Sequence, residues 1–104
     1  MLVEERIYTL HTGKTAEYLR HYEAYGLPVQ RQYLDRLLGY YTTEIGPLNQ
    51  VIHMWGYESF EDRLRRREAM RADPRWKPYL QKIQPLIAHQ EAKLLLPTSF
   101  FKPW

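Results

Sequence analysis

The groups in this chain that could do chemistry gather on one strand face, one histidine and one arginine-rich helix. Glu4, Arg6 and Tyr8 recur at every second residue near the start. A strand there presents a carboxylate, a guanidinium and a phenol on one face. If Ile7 and Val3, on the opposite face, pack beneath helices, the polar trio points into a barrel, to hold a polar ligand or to satisfy itself across a dimer. His53 is in phase with Val51, Trp55 and Tyr57, and titration near neutrality makes it the first acid–base candidate. Arg67 and Arg63 fall beside a stripe of Phe60, Leu64 and Met70. An arginine so placed needs a carboxylate or an aromatic face, as a structural brace or as a contact for an anionic ligand. With Tyr40 and Trp55 added, the expected ligand-binding wall is Glu4, Arg6, Tyr8, Tyr40, His53, Trp55 and Arg67. His53, Tyr8 and Arg6 are the catalytic candidates.

Other patterns have plainer readings. Gly13-Lys14-Thr15 invites a phosphate-loop interpretation, but that motif needs glycine where Tyr8 stands. The run Arg63 to Arg67 is offset by Glu61–Arg65 and Asp62–Arg66 at (i, i+4), the pattern of a solvated helix face. Trp76 and Tyr79 read as a packing anchor, and His11, His21 and His89 as surface or loop residues. No spaced His/Asp/Glu set accompanies His53, so no metal site is expected, and no cofactor is implied.

The 104 residues carry 44% apolar and 26% charged side chains, the balance of one globular domain over residues 1–104. A net charge of +3 is too mild for a dedicated nucleic-acid binder, so no nucleic-acid partner is expected. Cysteine is absent, which excludes disulfides and thiol chemistry and suits a reducing compartment. No apolar run approaches the ~20 residues of a membrane span, and a cytoplasmic location is expected. Nine tyrosines, three tryptophans and three phenylalanines suit a cavity or an interface.

The positioning elements follow from periodicity. Val3 to Leu10 alternates as a strand. Lys14 to about Leu37 reads as a helix broken at Gly26-Leu27-Pro28, with glycine closing one piece and proline opening the next. Gly39 to Ile45 and Gln50 to Tyr57 form a hairpin across Gly46-Pro47-Leu48-Asn49. Ser59 caps the next helix. Asp73-Pro74 ends that run, and Pro74 to Ala88 reads as two short helical pieces because of Pro78. Glu91 to Leu96 is the last strand, before an apolar tail. The order is the βαββαβ, ferredoxin-like α+β sandwich. Its bare sheet face calls for a second copy, hence a homodimer.

The residues also carry a family likeness. Glu4-Glu5-Arg6-Ile7-Tyr8-Thr9-Leu10, then Gly13-Lys14, resembles the opening of the NIPSNAP family. Asn49 to Tyr57 with Ser59 and Phe60, then Arg63, Arg67, Asp73-Pro74-Arg75-Trp76 and Glu91 to Pro97, continue the likeness in order. The resemblance implies a dimeric α+β barrel, in a group that includes cofactor-free monooxygenases, isomerases and haem enzymes. It implies no agreed catalytic residues. Three roles follow as expectations. The first is a homodimer holding a small, partly apolar ligand. The second is a cofactor-independent monooxygenase or isomerase, in which His53 or Tyr8 moves a proton and Arg6 steadies an enolate-like anion. The third is a protein-interaction module using the dimer surface or Phe100 to Trp104.

Overall fold

Four alternating stretches pair into one antiparallel sheet in the computed structural model, which describes residues 1–104. They are β1 (Leu2–Leu10), β2 (Arg36–Thr42), β3 (Gln50–Tyr57) and β4 (Ile87–Leu95), in the order β2-β3-β1-β4. Between β1 and β2 run α1 (Thr15–His21), a π-helical turn (Tyr22–Gly26) and α2 (Leu27–Tyr33). Between β3 and β4 run α3 (Phe60–Ala72), α4 (Trp76–Ile83) and a short 3₁₀ turn (Gln84–Leu86). This is the expected βαββαβ α+β fold. No helix is long and apolar enough to cross a membrane.

Register decides which side chains meet. Arg6 lies opposite His53, which lies opposite Tyr40; in the next row Glu4 lies opposite Trp55, which lies opposite Leu37. Directly opposed residues share a sheet face. That face also carries Tyr8 and Val51, and it is the face the helices cover, since Glu4 meets Arg63 of α3 and Tyr8 meets Tyr18 of α1. The orientation in which Ile7 packs beneath the helices is therefore corrected. Ile7 and Val3 face the other way, because the helix layer supplies the countercharge and aromatic rings that the polar strand face needs.

The helical boundaries also differ from expectation. Gly26 does not close a helix: its backbone is helical, with φ −84°, and the Leu27 N–H reaches back five residues to the Tyr22 carbonyl. Glycine is needed there for close approach, because a Cβ would stand 2.5 Å from Cζ of Tyr79. The helix ends at Tyr33, and Asp35 at φ 71° turns the chain into β2, which starts three residues before the expected Gly39. Pro78 sits in the first turn of α4, where its missing N–H has no intrahelical role, so the helix runs on to Ile83. β4 begins at Ile87, ahead of the expected Glu91.

Two caps hold the second helical half. Ser59 Oγ accepts the Asp62 N–H at 3.0 Å, and the Asp62 carboxylate accepts the Glu58 N–H at 3.1 Å, satisfying helix-end donors reciprocally. Asp62 also binds Arg65 and Arg66, each at 2.9 Å; Arg65 thus pairs with Asp62 where Glu61 was the expected partner. At the far end, the Tyr33 hydroxyl donates to Asp73 at 2.8 Å and ties α2 to the α3–α4 corner.

The uncovered sheet face is apolar at one end, while Glu5, Lys93 and Glu91 lie further along it. Val3, Leu38, Met54, Leu95 and Leu96 border a hollow there with Phe101 and Pro103 of the tail. The tail is pinned by Trp104, whose ring takes the Arg36 guanidinium at 4.1 Å and lies against Gly56, where a Cβ would come within 2.5 Å of it.

Candidate functional site

The strand trio folds into a charge cluster. Glu4 is fully buried. Its Oε2 accepts from Arg6 at 3.1 Å and from Arg63 at 2.6 Å, while Oε1 faces Arg67 at 3.7 Å. Burial works to raise the Glu4 pKa, but the Arg63 hydrogen bond and the charges of Arg67 and Arg6 outweigh it and hold it below its ordinary value. Burial also acts first on Arg67, and repulsion from Arg6 adds to it, lowering its pKa. The Arg6 Nε donates to the Tyr8 oxygen at 2.9 Å, leaving the Tyr8 O–H free to donate elsewhere.

Behind this cluster lies an aromatic layer. Tyr8 and Tyr18 meet edge to face at 6.1 Å, Tyr22 stacks on Tyr40 at 4.4 Å, and Tyr40 stacks on His53 at 4.7 Å. Each such contact is worth about 0.5–1.5 kcal/mol beyond burial. Tyr18 and Tyr40 share a hydroxyl hydrogen bond of 2.9 Å, and Tyr22 donates to Gln30 Oε1 at 2.6 Å. Burial pushes the phenols of Tyr18, Tyr22, Tyr40 and Tyr79 up, so all four stay protonated. His53 is almost wholly enclosed. The Trp55 indole donates to its Nδ1 at 2.8 Å, which places the ring hydrogen on Nε2, where no partner meets it. Burial, then the charges of Arg6 and Arg67, pull its pKa down to about 3. It is a neutral core histidine at physiological pH.

A cleft of about 510 Å³ opens beside this layer, where the helices stop short of the exposed strand β4. Arg6 and Tyr8 come to it from β1, Arg67 and Arg71 from α3, and Trp76, Tyr79, Leu80 and Ile83 from α4. Tyr18, Gln30 and the start of β4 complete the wall. Of the residues expected at a site, Arg6, Tyr8 and Arg67 line the cleft. Glu4, Tyr40, His53 and Trp55 share the same sheet face but lie behind it. His89, read as a surface residue, borders the cleft on β4. Arg71 went unnoticed in the sequence, although Arg63, Arg67 and Arg71 repeat at (i, i+4) and so share one helix face. No three His, Asp or Glu side chains converge as metal ligands would.

Two measurements test this electrostatic reading. Glu4→Gln leaves the buried guanidiniums without their counterion and should lower unfolding free energy at neutral pH by about 3–5 kcal/mol in a urea titration. A loss under about 1 kcal/mol would deny Glu4 that role. The folded-state pKa of His53 is depressed from 6.5 to about 3, so its stabilisation is present above pH 6.5 and is lost as pH falls from 6.5 toward 3. Across that window the wild type should lose up to about 1.4 kcal/mol per pH unit relative to His53→Asn. Parallel pH profiles for the two proteins would show that His53 titrates normally.

Comparison with known proteins agrees with this architecture. The NIPSNAP family model matches residues 3–102. A NIPSNAP-like domain protein from Burkholderia xenovorans, of uncharacterized function, is 50% identical, with a TM-score of 0.93 over 98% of this chain and 89% of its own. A NIPSNAP family protein from Agrobacterium tumefaciens is 46% identical, with a TM-score of 0.92 over 95% of this chain and 94% of its own. The human protein NipSnap homolog 3A is 31% identical over 97% of this chain but only 39% of its own length. The Dictyostelium discoideum NipSnap homolog is 33% identical over 67% of this chain and 31% of its own. The chain thus spans about a third of the length of the curated relatives it matches. A solved antibiotic biosynthesis monooxygenase shares the fold, with a TM-score of 0.68 over 94% of this chain and 99% of its own, at 11% identity. With its strand opening, its Ser59-capped arginine helix and its closing strand all inside the matched span, this chain belongs to the NIPSNAP family.

Proposed function

We propose that the chain binds a small, partly apolar molecule in the cleft between sheet and helices, and that it works as a homodimer. The observation that carries the binding reading is the cleft's mixed wall. Trp76, Leu80, Ile83 and Ile87 offer apolar surface, while Arg6, Tyr8 and Gln30 bring hydrogen-bonding groups to the same space. A volume of about 510 Å³ suits a small organic ligand. The apolar hollow on the opposite sheet face supports pairing of two copies there. The lack of cysteine supports a reducing, cytoplasmic setting.

A second reading, proton transfer on the bound molecule, is favoured by one contact. Tyr8 lines the cleft with Arg6 on its oxygen, an arrangement that could exchange a proton with a ligand and hold the resulting anion. His53, walled off behind Tyr8 and Tyr40, is the weaker candidate.

Native mass spectrometry of gently purified protein tests the binding reading. The expected spectrum is a dimer carrying added mass, with that mass absent from Gln90→Trp, which fills the cleft opposite Tyr8. Bare protein in every spectrum, with no loading from a metabolite extract, would overturn it. For the second reading, the wild type should speed deuterium exchange into a cyclic diketone and Tyr8→Phe should not. Equal exchange by both removes Tyr8.

A further inference from the structure

We infer that the ligand is an anion, specifically a small planar carboxylate whose head meets Arg71 and Arg67 and whose body lies against Trp76, Tyr79 and Ile83. This rests on the cleft-binding reading above and adds the charge and shape of the occupant. The cleft wall contains three arginines, Arg6, Arg67 and Arg71, and no aspartate or glutamate. The nearby carboxylate is Glu4, which lies behind the wall and is already shared by Arg6, Arg63 and Arg67. Four guanidiniums thus stand against one carboxylate. Arg71 alone of the four has no acidic partner, and it sits one turn beyond Arg67 on the same face of α3.

In a partly desolvated site this surplus favours an anion and repels a cation. A neutral ligand would leave the surplus as it is. Two further polar groups point the same way. Tyr22 donates to Gln30 Oε1, so the end of Gln30 left to serve the cleft is its NH₂ donor. Tyr8 keeps its own O–H free, since its oxygen accepts from Arg6. The donors of Arg67, Arg71, Gln30 and Tyr8 suit an acceptor-only head, and a carboxylate matches the planar guanidinium fork. The body is argued from the rings: Trp76 and Tyr79 lie 5.1 Å apart, tilted by 44°, and continue into Ile83. Such a surface suits a flat apolar group.

Three probes with one body and different charge test this by amide-resolved NMR titration of the whole chain: naphthalene carboxylate, naphthalene carboxamide and naphthylmethylammonium. The carboxylate should shift resonances of α3, α4 and the Trp76 indole, binding about tenfold or more tighter than the amide. Arg71→Gln, at an exposed position, should weaken the carboxylate about tenfold and the amide far less. Added salt should weaken the carboxylate alone. If the amide or the ammonium binds the cleft as tightly as the carboxylate, the anion inference fails while the cleft-binding reading survives. Carboxylate affinity unchanged in Arg71→Gln overturns the placement of the head. If no probe shifts the cleft, the binding reading falls and the inference falls with it.

Discussion

A carboxylate removed from water and gripped by three guanidiniums fixes the relation between sheet and helices. Glu4 on β1 can be ionised in the interior only if Arg6, Arg63 and Arg67 stay where they are. Two of those arginines belong to α3, so the ion cluster sets how far along the sheet that helix lies. The demand is severe because breaking a buried ion pair exposes the survivors to the full desolvation penalty. A strand slip of one residue would turn Glu4, Arg6 and Tyr8 to the uncovered face at once. The register with His53 and Trp55 is therefore specified by charge as well as by shape.

The same cluster explains why the α3 face turned toward the sheet looks unlike a core face. Arg67 and Met70 are buried there, and Asp62 is buried at the helix start. Arg67 then has a double relation. It contributes to holding Glu4, and it also lines the cleft. A brace for Glu4 and a wall of the cleft thus meet in one side chain.

Much of the fold was legible in the residues. Alternation located β1 and β3, with the bounds of β3 matching residue for residue, and the Ser59 cap was readable from its neighbours. Proline and glycine misled where their position inside an element mattered. Pro78 falls in a first turn, where it breaks nothing, and Gly26 serves ring packing inside a continuous helical path. The site was half legible. Period two put Glu4, Arg6 and Tyr8 on one face and His53, Trp55 on one face, and the register then joined them. What a pattern cannot report is which columns of a sheet the helices cover. That alone decides that Arg6 and Tyr8 reach the cleft while His53 and Tyr40 stay behind it. Arg71 could have been found from the (i, i+4) spacing of Arg63 and Arg67, since no other signal marks it.

The π-helical turn places both halves of the first helical layer correctly. The bond from the Leu27 N–H to the Tyr22 carbonyl takes up one residue more than an α-turn would. Tyr18 and Tyr22 before it, and Val29 and Gln30 after it, are all buried. Each residue of a helix advances its side chain by about 100°. Removing one residue here would let an ordinary α-turn close with Val29 and Gln30 still in phase with Tyr18 and Tyr22, whereas adding one would swing them out of their places. The loop between β2 and β3 faces no such restriction. Through the first helical layer, the chain thus carries its one spare residue at the π-turn, beside a glycine that the Tyr79 ring holds in place.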